Sequence, residues 1–157
     1  MKIGIIVFSQ TGNTLSVAEK MKERLLSSGH SVQLEKIESE GAVEPGSKTL
    51  KITRRPDIKS FDALVFAAPV MAFSLNPVMK LYLQELPEAA GKKTVCFITQ
   101  AFPKPWLGGS NALRKMRILC GIKKMDVVFY DGINWKRSDR DSRIEDLISK
   151  TASFFEK

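Results

Sequence analysis

Apolar and polar positions along this chain come in blocks, and the blocks change period. Ile3 to Phe8, Ala63 to Ala68 and Thr94 to Thr99 are short, nearly unbroken apolar runs. That is the pattern of strands buried on both faces. Val32 to Ile37 alternates apolar with polar residues, as an edge strand does. Met125 to Tyr130 reads as a fifth strand. Between these runs the spacing turns helical. Leu15 to Ser28 puts Val17, Ala18, Met21 and Leu25 on one face, with Gly29 as the stop. Asn76-Pro77 gives a cap and a proline at the first position of a helix through Leu86. Ser110 to Leu119 predicts a helix that ends at Gly121. Ser142 to Glu145 reads as a capping box for a last helix that buries Ile144, Leu147, Ile148, Ala152 and Phe155.

Strands alternating with helices predict an α/β fold with a parallel sheet. One stretch breaks the rhythm. Glu38 to Ser60 holds Gly41, Pro45, Gly46 and Pro56, and predicts a long crossover with little helix, extended near Thr49 to Thr53. The 157 residues are expected to form one domain, 1–157. No apolar run reaches membrane-spanning length. Met1-Lys2-Ile3 leads straight into a strand, so no signal peptide is expected. The two cysteines form no CxxC, and neither a disulfide nor a metal role is expected of them. These features together predict a cytoplasmic protein.

The chemistry is expected in three loops. Open α/β sheets bind ligands beyond the carboxyl ends of their strands, where the strand order reverses. The loop after the first strand is Ser9-Gln10-Thr11-Gly12-Asn13-Thr14. It combines three hydroxyls, an amide and a glycine at a helix start. The first backbone N–H groups of a helix have no intrahelical partner, and the helix dipole adds positive character there. Such a junction holds a phosphate without a cationic side chain. Neither Gly-Lys-Ser/Thr nor Gly-x-Gly-x-x-Gly occurs here. The loop after strand three, Pro69-Val70-Met71-Ala72-Phe73-Ser74, and the loop from Gln100 to Gly109 after strand four carry apolar and aromatic groups suited to a flat ring. A phosphate nest beside two such loops implies a phosphorylated aromatic cofactor.

At this point the residues resemble a known family. The first loop, followed by Ala18, is similar to the FMN phosphate loop of flavodoxins, and the five-strand rhythm resembles them over nearly the whole chain. The resemblance implies a flavodoxin-like three-layer sandwich with strand order 2-1-3-4-5. It implies that Ser9, Gln10, Thr11, Gly12, Asn13 and Thr14 hold the FMN phosphate. Pro69, Val70, Met71, Ala72 and Phe73 would line one side of the flavin ring. Thr99, Gln100, Ala101 and Phe102, with Trp106, Gly108 and Gly109, would line the other. The sequence departs from many relatives at Val7, where they have an aromatic residue, and at Ala67-Ala68-Pro69, where they have glycine. The family couples flavin reduction to a backbone flip after strand three, often at a glycine. Val70 to Phe73 contains none, and positive φ is disfavoured for other residues. The half-reduced flavin is therefore expected to be less stable than in glycine-bearing relatives.

Three functions remain open on these residues. The first is an FMN-binding electron-transfer protein. The second is an FMN-dependent NAD(P)H:quinone-type oxidoreductase, with the long Gln100 to Gly109 loop as a substrate wall. The third is a flavin-free scaffold that binds a partner through its basic face. No nucleophile–base pair stands out, and His30 reads as a surface residue, which favours the carrier.

The net charge of +8 changes one part of the picture. Lys and Arg cluster in Lys48 to Lys59, Arg114 to Lys124 and Lys136 to Arg143. Solvated faces explain most of that charge. Steering toward an acidic redox partner protein is its functional reading. Nucleic acid is disfavoured, because no aromatic interleaving accompanies the charges. None of the 25 Lys and Arg falls between Ile3 and Glu19. The expectation is a phosphate held by N–H groups and hydroxyls, with the surplus charge lying elsewhere.

Overall fold

In a parallel sheet covered on both faces, successive residues of a strand must enter two different cores. Here they do so without a break. A computed structural model describes residues 1–101 and 108–156. In chain order the elements are β1 (Lys2–Val7), α1 (Asn13–Ser27), β2 (Ser31–Lys36), β3 (Glu38–Glu40), β4 (Lys51–Arg54), β5 (Ala63–Met71), β6 (Ser74–Leu75), α2 (Pro77–Glu85), β7 (Lys93–Gln100), α3 (Gly109–Ile122), β8 (Asp126–Asn134) and α4 (Arg140–Glu156). Five parallel strands lie in the order β2-β1-β5-β7-β8, which is 2-1-3-4-5 counted by parallel strand.

One face of the sheet carries Ile3, Ile5, Val7, Ala63, Val65, Ala67, Val95 and Phe97 against α1 and α4. The other carries Ile6, Phe8, Leu64, Phe66, Ala68, Cys96 and Ile98 against α2 and α3. The period-two alternation of the central strands thus sorts cleanly into two cores. The edge strand β8 is only half-buried, as its outer position dictates. Among the described residues, no helix is long and apolar enough to cross a membrane.

The crossover from β2 to β5 contains no helix. In its place β3 and β4 form a separate two-stranded antiparallel sheet. The predicted extended segment is real but shifted to Lys51–Arg54. Ile52, Ile58 and Phe61 from this crossover are buried in the α2/α3 core. Gly4 makes room for Phe61. A Cβ on Gly4 would come within 2.4 Å of the Phe61 ring. The crossover is also tied down by a hydrogen bond, in which the Tyr82 hydroxyl donates to the Pro56 carbonyl at 2.7 Å.

Three sequence expectations need correction. Gly121 does not stop α3, which runs to Ile122 and closes at Lys124, a residue at φ 65°. The capping box at Ser142 is not the start of α4. The helix begins at Arg140, and Arg143 N–H donates to Asp139 O at 2.9 Å, which makes Asp139 the cap. The fifth strand continues past Tyr130 to Asn134, because paired β7 residues extend to Gln100 alongside it. Cys96 and Cys120, far apart in sequence, face each other in the core with Sγ atoms 4.0 Å apart. That contact and burial push the Cys96 thiol well above the ordinary thiol pKa.

Tyr82 gives a direct test of the helix-free crossover. Burial, reinforced by the charge of Asp57, raises its phenol above the ordinary value. Such a group favours folding below its unfolded pKa, about 10, and loses that contribution as pH rises beyond it. Tyr82→Phe is expected to lower stability by about 1 kcal/mol through the lost hydrogen bond. Urea unfolding at pH 7 measures that cost. The same titration above pH 10 should show a smaller alkaline loss in the variant than in the parent.

Candidate functional site

Ligand-accessible backbone in this fold can lie only where strands end, since the central strands are sealed on both faces. At the carboxyl end of the sheet, the loop after β1 turns into α1 at Gly12. That residue takes φ 90°, a left-handed conformation suited to glycine. The first turn of α1 carries no acid. The Ser9 hydroxyl accepts from the N–H groups of Gly12 at 3.2 Å and Leu15 at 3.4 Å, so the loop is ordered by its own side chain. The Asn76 side chain, which caps α2 by accepting from Val78 N–H at 2.9 Å, also reaches Gln10 Oε1 at 3.4 Å. The first loop is therefore braced by the second helix.

Gln10, Thr11 and Asn13 line a cavity of about 250 Å³ together with Pro69, Val70, Thr99, Gln100 and Ala101. Residues from all three predicted loops thus meet in one place. Trp135 and Lys136 complete its wall. Sequence reasoning missed both, because it ended the fifth strand at Tyr130 and so left the loop after that strand away from the rim. The signal available was topological, since a fifth parallel strand must end on the same side as the others. Trp135 N–H donates to Gln100 O at 2.8 Å, which fixes this loop beside the end of β7. The Arg140 guanidinium sits 4.8 Å from the Trp135 ring centre and donates to its carbonyl at 3.1 Å.

The remaining predicted residues are placed differently. Ser9 and Gly12 line a neighbouring cavity of about 590 Å³ with Phe8, Leu15, Lys36 and Ile37, and Gln10 borders both. Thr14 is buried, and its hydroxyl bonds to that of Thr99 at 2.8 Å. This bond joins the start of α1 to the end of β7. Ala72 lines a third cavity, of about 450 Å³, with Ser74, Lys80 and Lys115. Phe102 and Trp106, and Lys104 between them, lie outside the described residues.

The stretch read as a loop after strand three is a tight hairpin. β5 runs on to Met71 and pairs antiparallel with β6, with Val70 opposite Leu75 and Met71 opposite Ser74. The two-residue turn is Ala72 and Phe73, at φ 49° and 60°. Both central residues of a type I′ turn need positive φ, which is why Asn-Gly is its usual sequence. The sequence disfavoured positive φ here for want of a glycine, yet the backbone adopts it twice. Phe73 is 56% exposed at the tip.

Gly108 and Gly109 explain what holds that hairpin. Gly108 takes φ 119°, and a Cβ there would lie 2.7 Å from Phe73 Cα and 2.8 Å from Val70 Cγ1. A Cβ on Gly109 would meet Gln100 Oε1 at 2.0 Å. The start of α3 can approach the hairpin and β7 only because both residues lack side chains. Asn111 Nδ2 donates to Phe73 O at 3.3 Å from the same helix.

Solved structures resemble this fold over almost its whole length. Flavodoxin 1 from Bacillus cereus superimposes with a TM-score of 0.69 at 14% identity, covering 99% of this chain and 98% of that one. A Streptococcus pneumoniae flavodoxin gives 0.67 at 13% identity, covering 98% and 99%. A flavoprotein from Lactobacillus acidophilus in complex with FMN gives 0.62 at 12% identity, covering 93% and 97%. No family model matches the chain, and no curated protein does. The molecule therefore has a flavodoxin-like fold, five parallel strands in the order 2-1-3-4-5 flanked by helices on both faces.

Two substitutions test the account of the rim. Phe73→Gly relieves one left-handed residue and is expected to raise stability by about 1 kcal/mol. Gly108→Ala must instead force a Cβ into the Phe73 backbone at a positive φ, and is expected to cost about 1–3 kcal/mol. Thermal melts of the two variants should move in opposite directions, by about 2–4 °C per kcal/mol.

Proposed function

We propose that this chain binds FMN at the three-loop cavity and serves as an electron carrier. The observation that carries this reading is the make-up of that cavity. Gln10, Thr11 and Asn13 contribute polar groups to its lining, and Pro69, Val70 and Ala101 contribute apolar surface. Gly12 lets the backbone turn into α1 at a helix N-terminus free of acids, which fits a phosphate. The apolar groups and Trp135 fit a flat ring. The fold shared with flavodoxins and with an FMN-bound flavoprotein supports the same reading.

A bound flavin supplies the redox chemistry. The chain's part is to hold it. The Thr14–Thr99 hydroxyl bond keeps the phosphate loop in register with the end of β7. The Ala72–Phe73 turn and the start of α3 brace the ring wall around Val70. Among the described residues lining the cavity, Lys136 carries the one ionisable side chain. A lining made mainly of amides, hydroxyls and apolar groups suits electron transfer better than acid–base catalysis. The surplus of positive charge favours an acidic redox partner protein.

The test is direct. Purified protein should be yellow, or become so with added FMN, and should release FMN on denaturation. A protein that stays colourless and leaves FMN fluorescence unchanged overturns the proposal. Steady NAD(P)H oxidation with a quinone by the protein alone would assign it to an oxidoreductase instead of a carrier.

A further inference from the structure

The geometry points to Lys136 as a phosphate-binding residue that makes this site select phosphorylated over dephosphorylated flavin. This rests on the FMN reading above and concerns a residue outside the first loop. The first loop offers a phosphate only N–H groups, hydroxyls and amides. A phosphate monoester carries roughly −1.5 to −2 charges at pH 7. The helix terminus offsets only about half a charge. The sequence places no Lys or Arg between Ile3 and Glu19, so any full counter-charge must come from elsewhere in the fold.

Among the described residues, Lys136 is the one cation that lines this cavity, and it does so alongside Thr11 and Asn13, whereas Lys36 lines the neighbouring cavity with Ser9 and Gly12. Its place is fixed by its neighbour, since Trp135 N–H is bonded to Gln100 O at 2.8 Å. It is also available. Arg137 is held by Asp139 at 3.0 Å and Arg143 by Asp131 at 3.0 Å, while Arg140 lies over Trp135 and reaches Asp141. Lys136 pairs with no carboxylate among the described residues. A lysine ammonium acts as a point charge on a flexible stem and needs no fixed fork to meet a phosphate. The arrangement predicts affinity that falls with ionic strength for FMN and not for riboflavin, which has the same ring without the phosphate.

The experiment compares dissociation constants of FMN and riboflavin, by quenching of flavin fluorescence, at low and at physiological salt. Lys136→Gln should weaken FMN about tenfold and leave riboflavin within about twofold, as for a hydrogen-bonded charge contact at a partly exposed site. Its FMN affinity should also lose most of its salt dependence. Lys136→Arg should retain the preference for FMN. Arg137→Gln removes a neighbouring, already paired charge and should leave the FMN-to-riboflavin ratio unchanged, which separates contact from net charge. If Lys136→Gln leaves that ratio as in the parent, the inference is wrong although FMN binding stands. If the parent protein binds neither flavin, the functional reading and this inference fall together.

Discussion

A parallel sheet survives only if both faces are covered, and here one face is covered without its full set of helices. That requirement governs the rest of the molecule. The β2-to-β5 crossover lacks a helix, so Ile52, Ile58 and Phe61 supply the missing apolar surface, Gly4 yields space for the Phe61 ring, and Tyr82 fastens the segment through Pro56. With the faces sealed, polar chemistry is confined to the rim at the carboxyl ends of the strands.

The rim is a set of mutual constraints and not a row of independent loops. Thr14 and Thr99 link the first loop to β7, and Asn76 links it to α2. Gly108 lets α3 start against the Val70–Phe73 hairpin, and Trp135 locks the last loop to Gln100. Each contact is small, but together they leave little freedom in how the cavity walls face each other. A preformed site of this kind spends less ordering entropy on binding than a loose one.

Much of the fold was legible in the sequence because its signals are periodic. Buried strands betray themselves by unbroken apolar runs, and α4 by Ile144, Leu147, Ile148, Ala152 and Phe155 at helical spacing. The errors arose where local chemistry was outweighed by neighbours. Ser142 and Glu145 have the residues of a capping box, yet Asp139 caps α4. Gly121 has the residue for a stop, yet α3 continues because Cys120 packs in the core and the chain turns at Lys124. Of the cavity, topology brought the three loops to one end of the sheet, and Gln10, Thr11 and Asn13 meet Pro69, Val70, Thr99, Gln100 and Ala101 there, while Ser9 and Gly12 line the neighbouring cavity and Thr14 is buried. Trp135 and Lys136 were not readable, because an edge strand broken by Asp131 and Gly132 hides its own continuation. The Ala72–Phe73 turn was unreadable for a different reason. Tertiary packing imposes there a backbone that the residues themselves disfavour.

That turn has a consequence for selectivity. Two non-glycine residues at positive φ hold it about 2–4 kcal/mol above a relaxed backbone. A ligand that leaves the turn as it stands gains nothing from this reserve. A ligand whose shape lets either residue return to negative φ converts part of it into affinity, at about tenfold for each 1.4 kcal/mol. Two molecules burying equal surface against this hairpin would then bind with different strengths, ranked by the backbone conformation each one permits.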